Sequence, residues 1–290
     1  MNVGIWDGAA VLVKAALYAA TLGAAGGVFF LAYSHSLLEP SDRLAIARPL
    51  WILVAVALAA SAARVLITAA SMTEDAAGML DARLLAMVWH GGEGGAAAIR
   101  SGGLLLTIPA LAGHGRARWL AIVGAAVAAT SLAWVGHARA AGHVTSLLVG
   151  VHVLAVAFWL GGLGPLAIQA RRREPLELGA VAARFGRIAV GLVGLLLAAG
   201  TAVLCILLAS VSELWTSTYG RLACLKIALV ACLLALAAWN KLRLVPRIAA
   251  GDRLAVRSLR RSISAEMFVA GLVLLVTAAL TTLAGPPSMQ

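Results

Sequence analysis

The sequence is poor in charge. Only 12% of its 290 residues are Asp, Glu, Lys or Arg, about half the share in a soluble globular domain. With 62% of residues apolar, a chain of this size cannot hide its apolar surface from water, so lipid must be its solvent over most of its length. It also lacks the spaced cysteine pairs of zinc ribbons and thiol redox centres. Cys205, Cys224 and Cys232 each stand inside an apolar stretch, and none belongs to a C-x-x-C. A basic n-region is missing too. The chain opens Met-Asn-Val-Gly-Ile-Trp-Asp, and its first apolar run, 9–33, is too long for a signal-peptide core, so it reads as a retained first span. The net charge is +11, yet there is no basic stripe of the kind nucleic acid requires. The arginines stand in short loops between apolar runs, which is a topology signal and excludes a nucleic-acid partner.

What is present is a series of apolar runs of roughly 20 residues, the length that crosses a hydrocarbon layer as helix. They fall at 9–33, 50–71, 95–112, 118–136, 144–168, 186–209, 219–240 and 263–284. This predicts an all-α, polytopic transmembrane helical bundle of about eight spans, forming a single domain over 1–290 and partnered by the lipid bilayer. The third run contains Arg100 and Pro109 and is rich in glycine, which predicts a short, tilted or broken span. Residues 74–90 set Met79, Leu80, Leu84, Met87 and Val88 among charges at the spacing of an amphipathic helix on the membrane surface.

Lysine and arginine divide the loops sharply. Those after odd-numbered spans hold Arg43 and Arg48, then Arg116 and Arg118, then Arg171, Arg172, Arg173 and Arg184, then Lys241, Arg243, Arg247, Arg253, Arg257, Arg260 and Arg261. The loops of the other side hold Arg83 and Arg139. The positive-inside rule places the arginine-rich loops in the cytoplasm and both termini outside.

On that topology His35 and His114 are cytoplasmic, and His90, His137 and His143 lie at the outer surface. His152 sits in the fifth span, roughly 12 Å below its outer end. An ionisable group inside the bilayer is a functional candidate by default; the alternative is a neutral imidazole bonded to a neighbouring helix. His137 and His143 meet across a short turn above it. Imidazole suits copper, zinc, iron and nickel alike, so spacing does not choose the metal. Met72, Met79 and Met87 stand beside His90; thioethers favour Cu(I) but serve equally as the apolar face of a surface helix. Glu74, Asp75, Asp81 and Glu93 make the same region acidic. Arg64 and Arg100 point to a polar interior, and Glu266 is placed to pair with Asn240 or with the Arg257–Arg261 cluster. Lys226 either snorkels or pairs with a carboxylate such as Glu213. Cys205 and Cys224 should share a depth, as reduced, apolar thiols; a disulfide or a soft Cu(I) site is the alternative. Histidines on membrane helices also suit axial ligation of b-type haem, which needs two facing imidazoles at matched depth; His152 alone is convincingly buried.

At the hairpin of spans four and five the sequence reads WVGHARAAGHVTSLLVGVHVLAVAFWLGGLGPLA. With Gly136-His137-Ala138, His143, His152 and Trp159-Leu160-Gly161-Gly162-Leu163, this resembles the hallmark of the CopD copper-resistance family of bacterial inner-membrane proteins. The similarity continues through Arg184-Phe185-Gly186-Arg187, Leu214–Arg221 with Lys226, Asn240, and Leu259-Arg260-Arg261-Ser262 with Glu266. It is best over 130–287; the first half agrees mainly in hydropathy. The resemblance implies multi-pass insertion in the bacterial inner membrane and movement of copper, as Cu(I) or Cu(II), into or across it. It implies work beside a periplasmic copper carrier and requires no enzymatic step. His137 and His143, with His90, would collect the ion and His152 would receive it. One departure stands out: the family pattern has an acidic residue three before the intramembrane histidine, and here that position is Val149, which cannot orient an imidazole. A haem-binding or redox protein, and an assembly partner that transports nothing, remain the alternatives.

Overall fold

The structure, a computed structural model, describes residues 4–135, 142–207 and 212–284. Its helices are α1 Ile5–Tyr33, α2 Pro40–Thr73, α3 Ala82–His90, α4 Gly92–Leu105, α5 Ile108–Leu111, α6 Arg118–Thr130, α7 His143–Arg172, α8 Pro175–Leu207, α9 Glu213–Thr216, α10 Thr218–Trp239, α11 Val245–Ala249 and α12 Arg253–Leu283. Among the described residues there is no strand. Seven helical stretches are long and apolar enough to cross a membrane; the stretch Arg118–Ala133 is shorter. Packing shows that it must cross as well. Lys14 Nζ in α1 donates to Thr281 O in α12 at 3.1 Å, so the start of the first helix and the end of the last share one face of the bundle. That requires an even number of crossings, and α6 supplies the eighth.

The two faces are held by different chemistry. On one, Asp42 in the first turn of α2 accepts from Arg172 at 3.3 Å and Arg173 at 2.5 Å, at the end of α7. Arg260 Nε of α12 donates to Ala170 O at 2.6 Å. This arginine face carries the loops rich in Lys and Arg. On the other, the histidine face, lie His90 at the end of α3 and His143 at the start of α7. Residues 74–90 form a 3₁₀ turn, Ala76–Leu80, and then α3, capped by Asp81 accepting from Arg83 N and Leu84 N. Exposed Leu80 and Met87 fit the surface-lying helix that the pattern predicts.

Several helices begin earlier than their apolar runs. α2 starts at Pro40, whose fixed φ and missing N–H suit a first helical position. α12 starts at Arg253, ten residues before the apolar run, because Asp252 caps it by accepting from Leu254 N and Ala255 N. The Ala255 N–H and the neighbouring Arg247 guanidinium hold the Asp252 carboxyl below the usual carboxylate range. The supposed basic loop is thus largely helix extending past the hydrocarbon. The third span is broken as predicted: α4 ends at Leu105 and Pro109 lies in the first turn of α5.

α1 is the hub, packed on α2, α6, α7 and α12. Its contact with α7 is a glycine crossing. A Cβ on Gly26 would run into Ala157 O and Gly161 Cα, and one on Gly161 into Leu22 O and Gly26 Cα. Lipid gives no hydrophobic drive for helices to associate, so close backbone approach of this kind supplies the packing instead. At the edge, α8 packs on α7 and α11 and α10 packs on α12, but among the described residues α8 and α10 are not a closely packed pair.

Candidate functional site

His152 is the ninth residue after the first of α7, about 14 Å below the histidine face. It is half-buried, and its Nδ1 lies 3.1 Å from Leu196 O of α8. A carbonyl only accepts, so Nδ1 carries the proton and Nε2 keeps its lone pair. This is the arrangement found in metal-binding histidines, in which the second ring nitrogen is tied to a carbonyl or carboxylate. The orienting acceptor that Val149 cannot supply therefore comes from a neighbouring helix. Gly200, one turn beyond Leu196, makes room for it: a Cβ there would stand 3.1 Å from Cε1 and 3.2 Å from Nδ1 of the imidazole. Neither Leu196 nor Gly200 stands out by residue type; the lone glycine in the apolar run LLLAAGTAV is the one signal of close approach. Lys226 of α10 lies within electrostatic reach of the ring.

The other candidate ligands are placed apart from it. His90 and His143 are exposed, and His137 lies outside the described residues. His143 and His152 are about two and a half turns apart on one helix, so they point to opposite sides of it. A metal–imidazole bond is about 2 Å, as in zinc sites, so one ion cannot use both; they can serve only as successive stations. Among the described residues no group of three or more His, Cys, Asp or Glu is gathered closely enough to hold a metal. Nor do they bring a second histidine to the depth of His152, as paired haem ligation requires. Met72 and Met87 are exposed beside α3. Cys205, Cys224 and Cys232 are free thiols, and Cys224 Sγ lies 3.8 Å from Leu214 O.

A second polar layer lies at similar depth between α1, α2, α4 and α12. Arg64 of α2 pairs with Glu93 at 2.5 Å, so Glu93, in the first turn of α4, neutralises a partly buried cation and does not enrich the acidic surface loop. Arg100, only 1% exposed, donates from NH1 to Ser61 Oγ at 3.1 Å and from Nε to Ser131 Oγ at 3.2 Å. Lys14 donates to Thr281 O. Sequence indicates Arg64 and Arg100; Lys14, Ser61 and Ser131 are missed because a single polar residue in an apolar run does not show which helix it will meet. Lys14, Arg64 and Arg100 here face one carboxylate, Glu93, so this quarter carries a net positive charge. Towards the arginine face, Asn240 Nδ2 donates to Glu266 Oε1, so Glu266 pairs with the asparagine of α10's end and not with the Arg257–Arg261 cluster.

Comparison with known families divides the chain in two. Residues 5–147 match the family model described as copper resistance protein D-like, N-terminal domain. Residues 179–280 match the one described as copper resistance protein D. No curated protein and no solved structure matches the chain. The first half, whose sequence resembles the family mainly in hydropathy, thus has a family model of its own; α7 begins inside that match at His143 and runs on beyond it, so His152 lies between the two matched regions.

Proposed function

Because the chain belongs to the CopD copper-resistance family, and is therefore a multi-pass copper-handling membrane protein, we propose that it moves copper across the bacterial inner membrane from the histidine face towards the arginine face. Copper is the cargo and no bond to carbon is made or broken. The observation that carries the reading is the tethered imidazole of His152: with Nδ1 on Leu196 O, Nε2 keeps its lone pair, inside the bilayer. Imidazole accepts either oxidation state of copper. His143, with His137 and His90, supplies the surface station that meets a periplasmic carrier, and His152 the interior one.

The direction rests on orientation. The Lys/Arg bias places the arginine face in the cytoplasm and both termini in the periplasm. A periplasm-sensitive reporter fused after Gln290 should be active and one fused at Glu174 silent; the reverse pattern would invert the direction of transport proposed here.

The surface station has its own test. The double variant His137→Ala with His143→Ala should lose most of the copper that co-purifies with the protein, measured by elemental analysis. Unchanged stoichiometry would remove both as principal ligands and shift the station to His90 with Met72, Met79 and Met87.

A further inference from the structure

Between α7, α8, α10 and α12, towards the arginine face, lies a cavity of about 570 Å³, within the size range of small-molecule sites. Its walls are apolar, including Trp159 and Leu163 of α7, Phe185 and Val193 of α8, Leu234 of α10 and Ile263 of α12. Asn240 and Glu266 also line it. They are 8% and 2% exposed, and Asn240 opens a π turn, Asn240–Leu244, between α10 and α11. Single π turns inside helices are frequent at functional sites. One N–H of the Asn240 side-chain amide donates to Glu266, while Asn240 Oδ1 has no hydrogen-bond partner among the described residues. A buried carbonyl left unpaired is costly, so the polar end of this cavity offers an acceptor and asks for a donor.

The mouth shows where a donor could come from. Among the described residues α8 and α10 are not a closely packed pair, and the gap between them is rimmed by Val190, 54% exposed, and Leu242, 69% exposed. Val190 lies 15 residues into the membrane-crossing helix α8, where an exposed apolar side chain faces hydrocarbon, so the opening leads into the bilayer. Lys241 closes the polar side of the rim by donating from Nζ to Gly186 O at 3.1 Å. An occupant that enters this way comes from the bilayer; buried Glu266 at the polar end disfavours an anionic headgroup, and Asn240 Oδ1 calls for a hydrogen-bond donor. The aromatic walls Trp159 and Phe185 suit a flat ring.

We propose that this cavity binds a membrane-soluble hydroquinone, its ring between the walls of α7 and α8, a hydroxyl donating to Asn240 Oδ1 beside Glu266, and its alkyl or prenyl tail leaving between α8 and α10. Binding alone is claimed; no electron or proton transfer is part of it. The inference stands apart from copper movement through His152, and its test contains no copper.

The probe is decylhydroquinone, with its dimethyl ether as a match in shape that has no donor. Full-length protein in phospholipid nanodiscs should retain one saturable equivalent above empty nanodiscs. The ether should bind roughly tenfold more weakly or worse, the worth of a lost hydrogen bond. Asn240→Leu should weaken the hydroquinone by the same factor. Because that variant also strips Glu266 of its partner, Val190→Trp provides a second arm: it blocks the lipid-facing mouth, leaves the polar pair intact, and should abolish saturable binding. Equal affinity for hydroquinone and ether, unchanged binding in Val190→Trp, or no retention above empty nanodiscs would each overturn the proposal; mass-spectrometric detection of a phospholipid that the hydroquinone does not displace would do so as well.

Discussion

A His152→Gln protein should accumulate in the membrane at close to wild-type level and yet lose copper-dependent uptake by roughly tenfold or more, the scale at which even indirect damage to a metal site is felt. Glutamine has the reach to keep a hydrogen bond to Leu196 O through its amide N–H, so the packing of α7 on α8 is preserved. What it loses is the imidazole Nε2 lone pair, for which a neutral amide oxygen is a poor replacement towards soft Cu(I). Should the amide fail to reach Leu196, the loss of one interhelical hydrogen bond costs about 0.6–2 kcal/mol, too little to unfold a bundle with this much packing. Uptake and membrane abundance are therefore separable readouts. If a well-expressed His152→Gln protein handles copper like the wild type, copper does not pass through this residue. Gly200→Val refines the test: it keeps the imidazole but fills the space in which the ring now lies 3.1 Å from a notional Cβ, so it should impair uptake less than the loss of the ligand while also leaving abundance intact.

How much of this was legible in the sequence follows from the physics of each feature. Hydropathy alone locates the crossings, because every span must satisfy its backbone internally and present apolar side chains to lipid. The Lys/Arg pattern sorts the two faces, and the salt bridges of Asp42 and the Lys14–Thr281 contact agree with that sorting. The break at Pro109 is also visible, since proline removes a donor. Helix starts are not visible: α2 and α12 begin before their apolar runs because Pro40 and Asp252 act as local start signals within polar sequence. Least visible are partners across helices. His152 is conspicuous as a lone ionisable residue at membrane depth, whereas its acceptor is a backbone carbonyl, which has no signature in the sequence. The pairing of Arg64 with Glu93, and of Arg100 with Ser61 and Ser131, likewise depends on helix rotation, which periodicity cannot fix when both faces of a helix are apolar.

Rotation and depth of α7 are set at one contact, and its disruption should have the largest effect of any single substitution on the fold. Gly161→Leu should prevent accumulation of the folded protein. Even the first carbon of the new side chain would meet Leu22 O and Gly26 Cα of α1, and these are backbone atoms that cannot rotate aside. Overpacking between side chains costs about 1–3 kcal/mol. Here the helices themselves must separate, and α1 is the hub on which α2, α6 and α12 also pack. A cost of about 3 kcal/mol alone would lower the folded-to-unfolded ratio by roughly a hundredfold. Gly164→Leu is the control: it lies three residues further along the same helix, and a Cβ there meets nothing within 4 Å. Both variants replace glycine by leucine in the same helix, so propensity and hydrophobicity cancel in the comparison. Size-exclusion chromatography in mild detergent should show a monodisperse peak for Gly164→Leu and aggregated or absent protein for Gly161→Leu. Equal behaviour of the two would mean that α1 and α7 do not cross at Gly26 and Gly161. The placement of His152, two and a half turns up α7 from that crossing, would then lose its structural basis along with the station that it supplies.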